Sequence, residues 1–293
     1  MSELNGNKIA ETYREELKEE VSNLKDEDVR PAIAPVLVGD DPGAKVYYRT
    51  KKKLAEELGI EYRGVKVDGD ISREDLVGKI QKLYGDPEVH GLFVELPLPK
   101  GMDIGELREE INPKKDVDCI NPVNSGKLLS GGAARASYKD LKTDPEVLLP
   151  ATPYAVMEIL NYSEIDLAGK EFIVVGGGAV GLPLSLLALR EGYSTVSLCE
   201  YQTENLPEKT RQADILCTSV GRRNFITEDM VSEGTVVVDI GINPTDNGIT
   251  GDVDYENVKE KASHITPVPG GVGPMTTTLI MANTVKAAKL LNE

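Results

Sequence analysis

Apolar positions along the chain alternate between two periods, and the alternation predicts a layered α/β protein. Ile9, Tyr13, Leu17, Val21 and Leu24 recur at helical spacing with Glu and Lys between them, which predicts an amphipathic first helix. Ala32 to Val38 is an unbroken apolar run of the kind a strand buried on both faces requires. Gly39-Asp40-Asp41-Pro42-Gly43 ends that strand and opens a second helix. Glu61 to Val67 reads as another strand, and Ser72-Arg73-Glu74-Asp75 as the capping box of a helix through Ile80 and Leu83. Val89 to Leu96 reads as a central strand stopped by Pro97 and Pro99. A short helix from Asp103 to Ile111 leads into a long loop containing Asp116 and Asp118, of a length that is often functional. Ser130 to Val147, with Gly131-Gly132 and mixed charge, reads as an irregular insertion near a domain junction.

The second half repeats the pattern. Thr152 is placed to cap a helix, with Pro153 at its first position and Leu160 near its end. Phe172 to Val175, Thr195 to Cys199, Ile215 to Thr218 and Val236 to Ile240 read as strands of a doubly wound sheet. Thr250 to Asp254 reads as a hairpin or irregular stretch, Pro267 to Pro274 as an irregular loop, and Met275 to Leu291 as a final helix.

Between the first two of those strands, Gly176, Gly178 and Gly181 form G-x-G-x-x-G where a strand must turn into a helix. Gly192 is placed to end that helix. The first glycine permits the tight turn, the second lets backbone approach a pyrophosphate, and the third lets helix pack on strand. The second strand ends in Glu200, whose carboxylate can accept hydrogen bonds from both ribose hydroxyls but would repel a 2′-phosphate. Tyr201, Gln202 and Thr203 supply no cation. A dinucleotide site is therefore expected, with NAD favoured over NADP.

The formal net charge of −16 argues against non-specific binding to nucleic acid or to an anionic membrane surface. No apolar run approaches a membrane span, and Met1 to Lys8 lack the apolar core of a leader. Cys119, Cys199 and Cys217 are odd in number and without metal-ligand spacing, so a reducing, cytoplasmic setting is expected.

Two residues in the first half stand out. Tyr47, Lys51, Leu54 and Leu58 share one helix face, so Lys51 lies in an apolar stripe while Lys52 and Lys53 point elsewhere. A snorkelling lysine would explain it, but ligands collect at this end of open α/β sheets. Glu95 is a carboxylate at a strand's carboxyl end, open either to solvent or to a cleft. Asp116 and Asp118 lack the further ligands that a metal would need, so no metal site is expected. His90 and His264 read as structural.

Taken together, several motifs resemble one family over almost the whole chain. They are VGDDPGAKVYYRTKKK (Val38 to Lys53), GLFVELPLP (Gly91 to Pro99), KKDVD (Lys114 to Asp118), ATP (Ala151 to Pro153), VGLP (Val180 to Pro183), TGDVD (Thr250 to Asp254) and PVPGGVGPMT (Pro267 to Thr276). Their order and separation resemble the methylenetetrahydrofolate dehydrogenase/methenyltetrahydrofolate cyclohydrolase family. That resemblance implies two lobes. Residues 1–150, joined by a returning C-terminal helix over 276–293, would form the α/β folate lobe, and residues 151–275 the Rossmann-type lobe. It also implies a homodimer formed through the Rossmann lobe. Tyr47 and Lys51 match the family's Y-x-x-x-K, the lysine serving the cyclohydrolase step and the tyrosine stacking near the pterin. Asp118 matches the aspartate that hydrogen-bonds the pterin. Val94, Glu95 and Leu96 fall at the substrate-binding strand end, and Pro269, Gly270, Gly271, Val272 and Gly273 match the loop lining the folate pocket. Gly176, Gly177, Gly178, Gly181, Glu200, Tyr201 and Ile242 fall at cofactor positions.

Departures from that pattern carry their own expectations. Glu95 stands where the family has glutamine beside its lysine. Val175-Gly176-Gly177 replace the usual G-R-S, so the arginine and serine that would meet a 2′-phosphate are missing. Ala44, Ala151 and Cys119 replace a serine, a cysteine and a glycine. Glu95 would pair with Lys51, hold it charged and slow the hydrolytic step, unless Glu95 has itself become the base. Two other readings are a dehydrogenase of methylene-tetrahydromethanopterin and a catalytically weakened sensor of folate or dinucleotide. Retention of Tyr47, Lys51 and Asp118 counts against the sensor.

Overall fold

The computed structural model describes residues 1–130, 137–191, 195–246 and 248–292. Gly131, Gly132 and Gly192 lie outside them.

In chain order the first elements are β1 (Ser2–Glu3), α1 (Gly6–Asp26), β2 (Ala32–Val38), α2 (Pro42–Leu58), β3 (Glu61–Tyr62) and β4 (Val65–Val67). Next come α3 (Arg73–Gly85), β5 (Gly91–Val94), α4 (Ile104–Leu107), α5 (Pro122–Ser130), α6 (Tyr138–Thr143) and α7 (Ala151–Tyr162). The glycine-turn segment supplies β6 (Glu171–Val175), α8 (Gly181–Leu189) and β7 (Thr195–Cys199). It is followed by α9 (Leu206–Thr210), β8 (Ile215–Thr218), β9 (Val236–Asp239), β10 (Asn243–Thr245) and β11 (Gly248–Thr250). The chain closes with α10 (Tyr255–Val258), β12 (His264–Ile265) and α11 (Val272–Asn292).

These elements form two compact units. One contains Met1–Glu11, Leu128–Leu141 and Thr152–Thr276, and the other Thr12–Lys127, Lys142–Ala151 and Thr277–Glu293. The division is not a single cut after residue 150, because two earlier segments group with the dinucleotide-type unit. Most of the C-terminal helix belongs with the first-half strands, as expected.

In the first-half unit, β2 is the central strand. It pairs in parallel with β5, with β3 at Ala32–Ile33 and with β4 at Val36–Val38. A continuous strand over 61–67 is not found, and Pro35 explains why. The odd-numbered residues of β2 face β3 and β4, as the bond from Arg63 N–H to the Ile33 carbonyl (2.8 Å) shows. Pro35 has no N–H to offer on that edge, so the partner divides around it. Strand β5 is shorter than expected, but the N–H groups of His90 and Glu95 still donate to Ala32 and Val36 (both 2.9 Å). One sheet face packs against Leu17, Val21, Leu24, Leu54, Ile280 and Met281, the other against Leu76, Ile80, Leu107 and Ile111.

The other unit holds a six-stranded sheet in the order β1-β12-β9-β8-β6-β7, parallel throughout. Strand β1 was not expected, because two residues are too short to show a period. Strands β10 and β11 form the hairpin, so it lies at 243–250, ahead of the stretch expected to hold it.

Further corrections concern helix ends. The long loop stops at Asn121, because the Asp116 carboxylate accepts Asn121 N–H (2.8 Å) and the Asn124 amide (3.1 Å) and turns the chain into α5. Within the expected irregular insertion, Ser137 and Asp140 cap each other's backbone N–H groups (3.1 and 2.8 Å) and start α6. Helices α7 and α11 begin at Ala151 and Val272, earlier than expected. In both, proline is the third helical residue, where its missing N–H breaks no intrahelical bond.

Candidate active site and dinucleotide site

Helix α2 is capped at Asp41, whose carboxylate accepts Ala44 N–H at 2.8 Å, and its buried stripe runs through Ala44, Tyr48, Lys51, Leu54 and Leu58. Lys51 is only 7% exposed and does not snorkel. Its ammonium meets both oxygens of Glu95, at 3.0 and 2.7 Å, and Glu95 is itself 5% exposed. The Lys51 Nζ also lies 4.7 Å from the ring centre of Phe93 and 5.7 Å from that of Tyr47. Phe93 was missed as a site residue because, in sequence, it is indistinguishable from core.

Burial pushes the Glu95 carboxyl up, against the pull of Lys51 and with a further push from Asp118. Asp118 is half-buried; desolvation raises its carboxyl too, and Lys51 opposes that rise. Burial, then the Glu95 charge, raises the half-buried Tyr47 phenol. One cation thus serves two carboxylates whose charged forms are costly in this environment, so an additional positive charge nearby would be stabilised. Val94 is buried at the end of β5, and Leu96 is 51% exposed. Asp116 is fully buried and structural, and its Oδ1 has no hydrogen-bond partner among the described residues.

The glycine turn sits in the other unit, between β6 and α8. Gly176 has φ +103°, and a Cβ there would lie 2.3 Å from the Ser219 carbonyl oxygen. A Cβ on Gly181 would lie 1.8 Å from the Gly176 oxygen, so only glycine lets this helix meet this strand. Gly178 is exposed and a Cβ there would meet nothing within 4 Å, which leaves its backbone open to a ligand. The Gly177 N–H donates to Glu200 Oε1 at 3.1 Å, which holds that exposed carboxylate over the turn. These residues fit a dinucleotide, with an open backbone for the pyrophosphate and an acid beside it for the ribose.

Two features beside this turn were not foreseen. The Arg222 guanidinium carbon lies 3.9 Å from the ring centre of Tyr201. Buried Asp252 accepts the backbone N–H groups of Val220 (2.6 Å), Gly221 (3.1 Å) and Arg222 (2.9 Å) and the Asn243 amide (2.9 Å). Asp239 in turn accepts the N–H groups of Gly241, Asp252 and Val253, and burial raises its carboxyl to about 6. The TGDVD stretch was a signal for Asp252, but its role depends on loops that only the fold brings together. Ile242 is 46% exposed beside this network. In the same unit, Gly270 has φ +108° and accepts Asn7 N–H at 3.3 Å. Pro269 and Gly271 flank Gly270, while Val272 and Gly273 open α11.

His90 and His264 join neither group. The His90 Nδ1 accepts Ala32 N–H at 3.2 Å, and the His264 Nδ1 lies 3.2 Å from Ser263 Oγ. Among the described residues no cluster of His, Cys, Asp or Glu is placed to hold a metal ion, and no helix is long and apolar enough to cross a membrane.

Comparison with known proteins agrees with this geometry. Residues 4–118 match the family described as tetrahydrofolate dehydrogenase/cyclohydrolase, catalytic domain, and residues 150–292 match its NAD(P)-binding domain. The chain is 44% identical to the bifunctional protein FolD of Bacillus subtilis, over 98% of this chain and 97% of that one. Among solved structures, it resembles the FolD dehydrogenase/cyclohydrolase of Campylobacter jejuni with a TM-score of 0.91 and 40% identity, covering 99% of each chain. It also resembles the Trypanosoma brucei FolD complexed with NADP and inhibitor, with a TM-score of 0.88 and 30% identity over 98% of this chain and 96% of that one. The chain belongs to the tetrahydrofolate dehydrogenase/cyclohydrolase family.

Proposed function

We propose that this protein oxidises 5,10-methylenetetrahydrofolate to the methenyl form with NAD as the favoured cofactor, and hydrolyses the methenyl product to 10-formyltetrahydrofolate more slowly. The observation that carries the reading is the buried Lys51–Glu95 pair, with Tyr47 and Phe93 beside its ammonium.

A nicotinamide held at the glycine turn would supply the hydride acceptor for the folate methylene carbon, leaving the folate cationic. Tyr47 stacks near the pterin and Asp118 hydrogen-bonds it, which fixes the reacting carbon by orientation. Glu95 and Asp118 place negative charge near the developing cation and favour oxidation. In the hydrolytic step water adds to the methenyl carbon and gives one proton to a base; the remaining hydroxyl proton is then lost as the formyl C=O forms, while the C–N5 bond opens and N5 takes up a proton. Lys51 can take that proton only as the free amine, and its nitrogen is instead engaged by both oxygens of Glu95. The hydrolytic step is therefore the slower one.

The NAD preference rests on Glu200, held over the glycine turn by Gly177 N–H, and on the absence of a cation in that turn. Val94, Leu96, Pro269, Gly270, Gly271, Val272 and Gly273 complete the folate contacts, with Gly176, Gly177, Gly178, Gly181, Tyr201 and Ile242 on the cofactor. Exposed Leu182 and Leu189 on α8 and Leu198 on edge strand β7 support a homodimer through this unit. Three free, buried thiols fit a cytoplasmic setting.

One assay tests the reading: NADH or NADPH and the methenyl product followed together, with 5,10-methylenetetrahydrofolate and either cofactor. Binding of folate without reduced cofactor would overturn the enzyme, and a clear NADP preference would overturn the role of Glu200.

A further inference from the structure

In the parallel sheet β6 lies between β7 and β8, so the chain leaving β7 and the chain leaving β8 flank the glycine turn that follows β6. Glu200 and Tyr201 follow β7, and Arg222 belongs to the turn after β8. The stack of Arg222 on Tyr201 therefore spans from one side of the glycine turn to the other. The backbone beneath it is fixed, because buried Asp252 accepts the N–H groups of residues 220, 221 and 222. Among the described residues the guanidinium donates to no carboxylate or carbonyl, so its in-plane N–H groups are uncommitted. A guanidinium held over a ring at this distance keeps its N–H donors free, and their fork geometry suits a phosphate.

We propose that Arg222, oriented by Tyr201, is a specificity-determining residue that receives the 2′-phosphate of NADP, supplying from the β8 side the cation missing from the glycine turn. Glu200 and Arg222 then act in opposition. The acid favours a free 2′-hydroxyl and the guanidinium a phosphorylated one, so the chain accepts NADP as a second cofactor. The inference rests on the dinucleotide site proposed above.

The test is steady-state kinetics of the full chain with NAD and NADP, comparing wild type with Arg222→Gln, Tyr201→Phe and Tyr201→Ala. Arg222→Gln is expected to raise KM for NADP at least about tenfold more than KM for NAD, the size of one charge-assisted contact. Raising ionic strength should weaken NADP more than NAD in wild type, and this difference should shrink in Arg222→Gln. Tyr201→Phe should keep the wild-type ratio, and Tyr201→Ala should move it towards that of Arg222→Gln. Equal changes for both cofactors, or no change for either, would overturn the proposal. Because each variant is read against wild type, this outcome is separate from which cofactor wild type prefers.

Discussion

The Lys51 ammonium lies 2.7 and 3.0 Å from the two oxygens of Glu95, and both side chains are withdrawn from water. Both carboxylate oxygens hold the Lys51 nitrogen, so it is not free to take a proton from water. Glu95→Gln keeps the shape and removes the charge. Hydrolysis of the methenyl substrate should rise in this variant, while dehydrogenase kcat/KM falls about tenfold as cation stabilisation is lost. Unchanged or slower hydrolysis would show that Lys51 is not restrained by this pair.

Cofactor choice should follow charge at the end of β7. The double variant Glu200→Ser, Gln202→Arg should move the ratio of kcat/KM for NADP over NAD upward by about tenfold or more. A ratio that stays put would place discrimination elsewhere.

The glycines of the turn should separate by their surroundings. Gly181→Ala places a methyl 1.8 Å from a backbone oxygen and should destabilise the protein by roughly 1–3 kcal/mol, read as a lower denaturation midpoint. Gly178→Ala meets no protein atom within 4 Å, so its midpoint should hold while KM for the dinucleotide rises. Equal loss of stability in both would contradict an open face at Gly178.

Asp116 predicts a pH effect. Burial raises its carboxyl to about 6 from an ordinary value of 3.8, and its unpartnered Oδ1 can carry a proton at no cost in hydrogen bonds. Its folded-state pKa is the higher one, so its contribution to stability is full below about 3.8 and is lost as pH rises through about 6. Asp116→Asn should remove that component, changing the difference in Tm between these two pH values by roughly 5–10 °C. Parallel Tm profiles for the two proteins would rule it out.

Much of the dinucleotide unit was legible because its signals are local. The turn over Gly176 to Gly181 has a steric reason at Gly176 and Gly181 and an open face at Gly178, and Glu200 follows directly from the end of an apolar strand. Lys51 and Glu95 could be singled out because charge interrupts an apolar pattern. Their pairing could be stated only through the resemblance. What stayed hidden depends on neighbours distant in sequence. Pro35 splits its partner strand only once the facing edge is known, and Arg222 reaches Tyr201 only because the sheet order puts β8 and β7 on either side of β6. Asp252 looked like one acid in an irregular stretch because its donors lie some thirty residues earlier, at Val220 to Arg222.

The grip of Asp252 also limits how the rim over the glycine turn can move. With the N–H groups of residues 220 to 222 bound to one buried carboxylate, that backbone cannot swing aside without stripping several donors at once. The Arg222 side chain carries no such restraint beyond the face of Tyr201. Adjustment of this rim to a ligand is therefore expected in the exposed Arg222 side chain, whose rotamers exchange on a picosecond to nanosecond scale, before it is expected in the backbone.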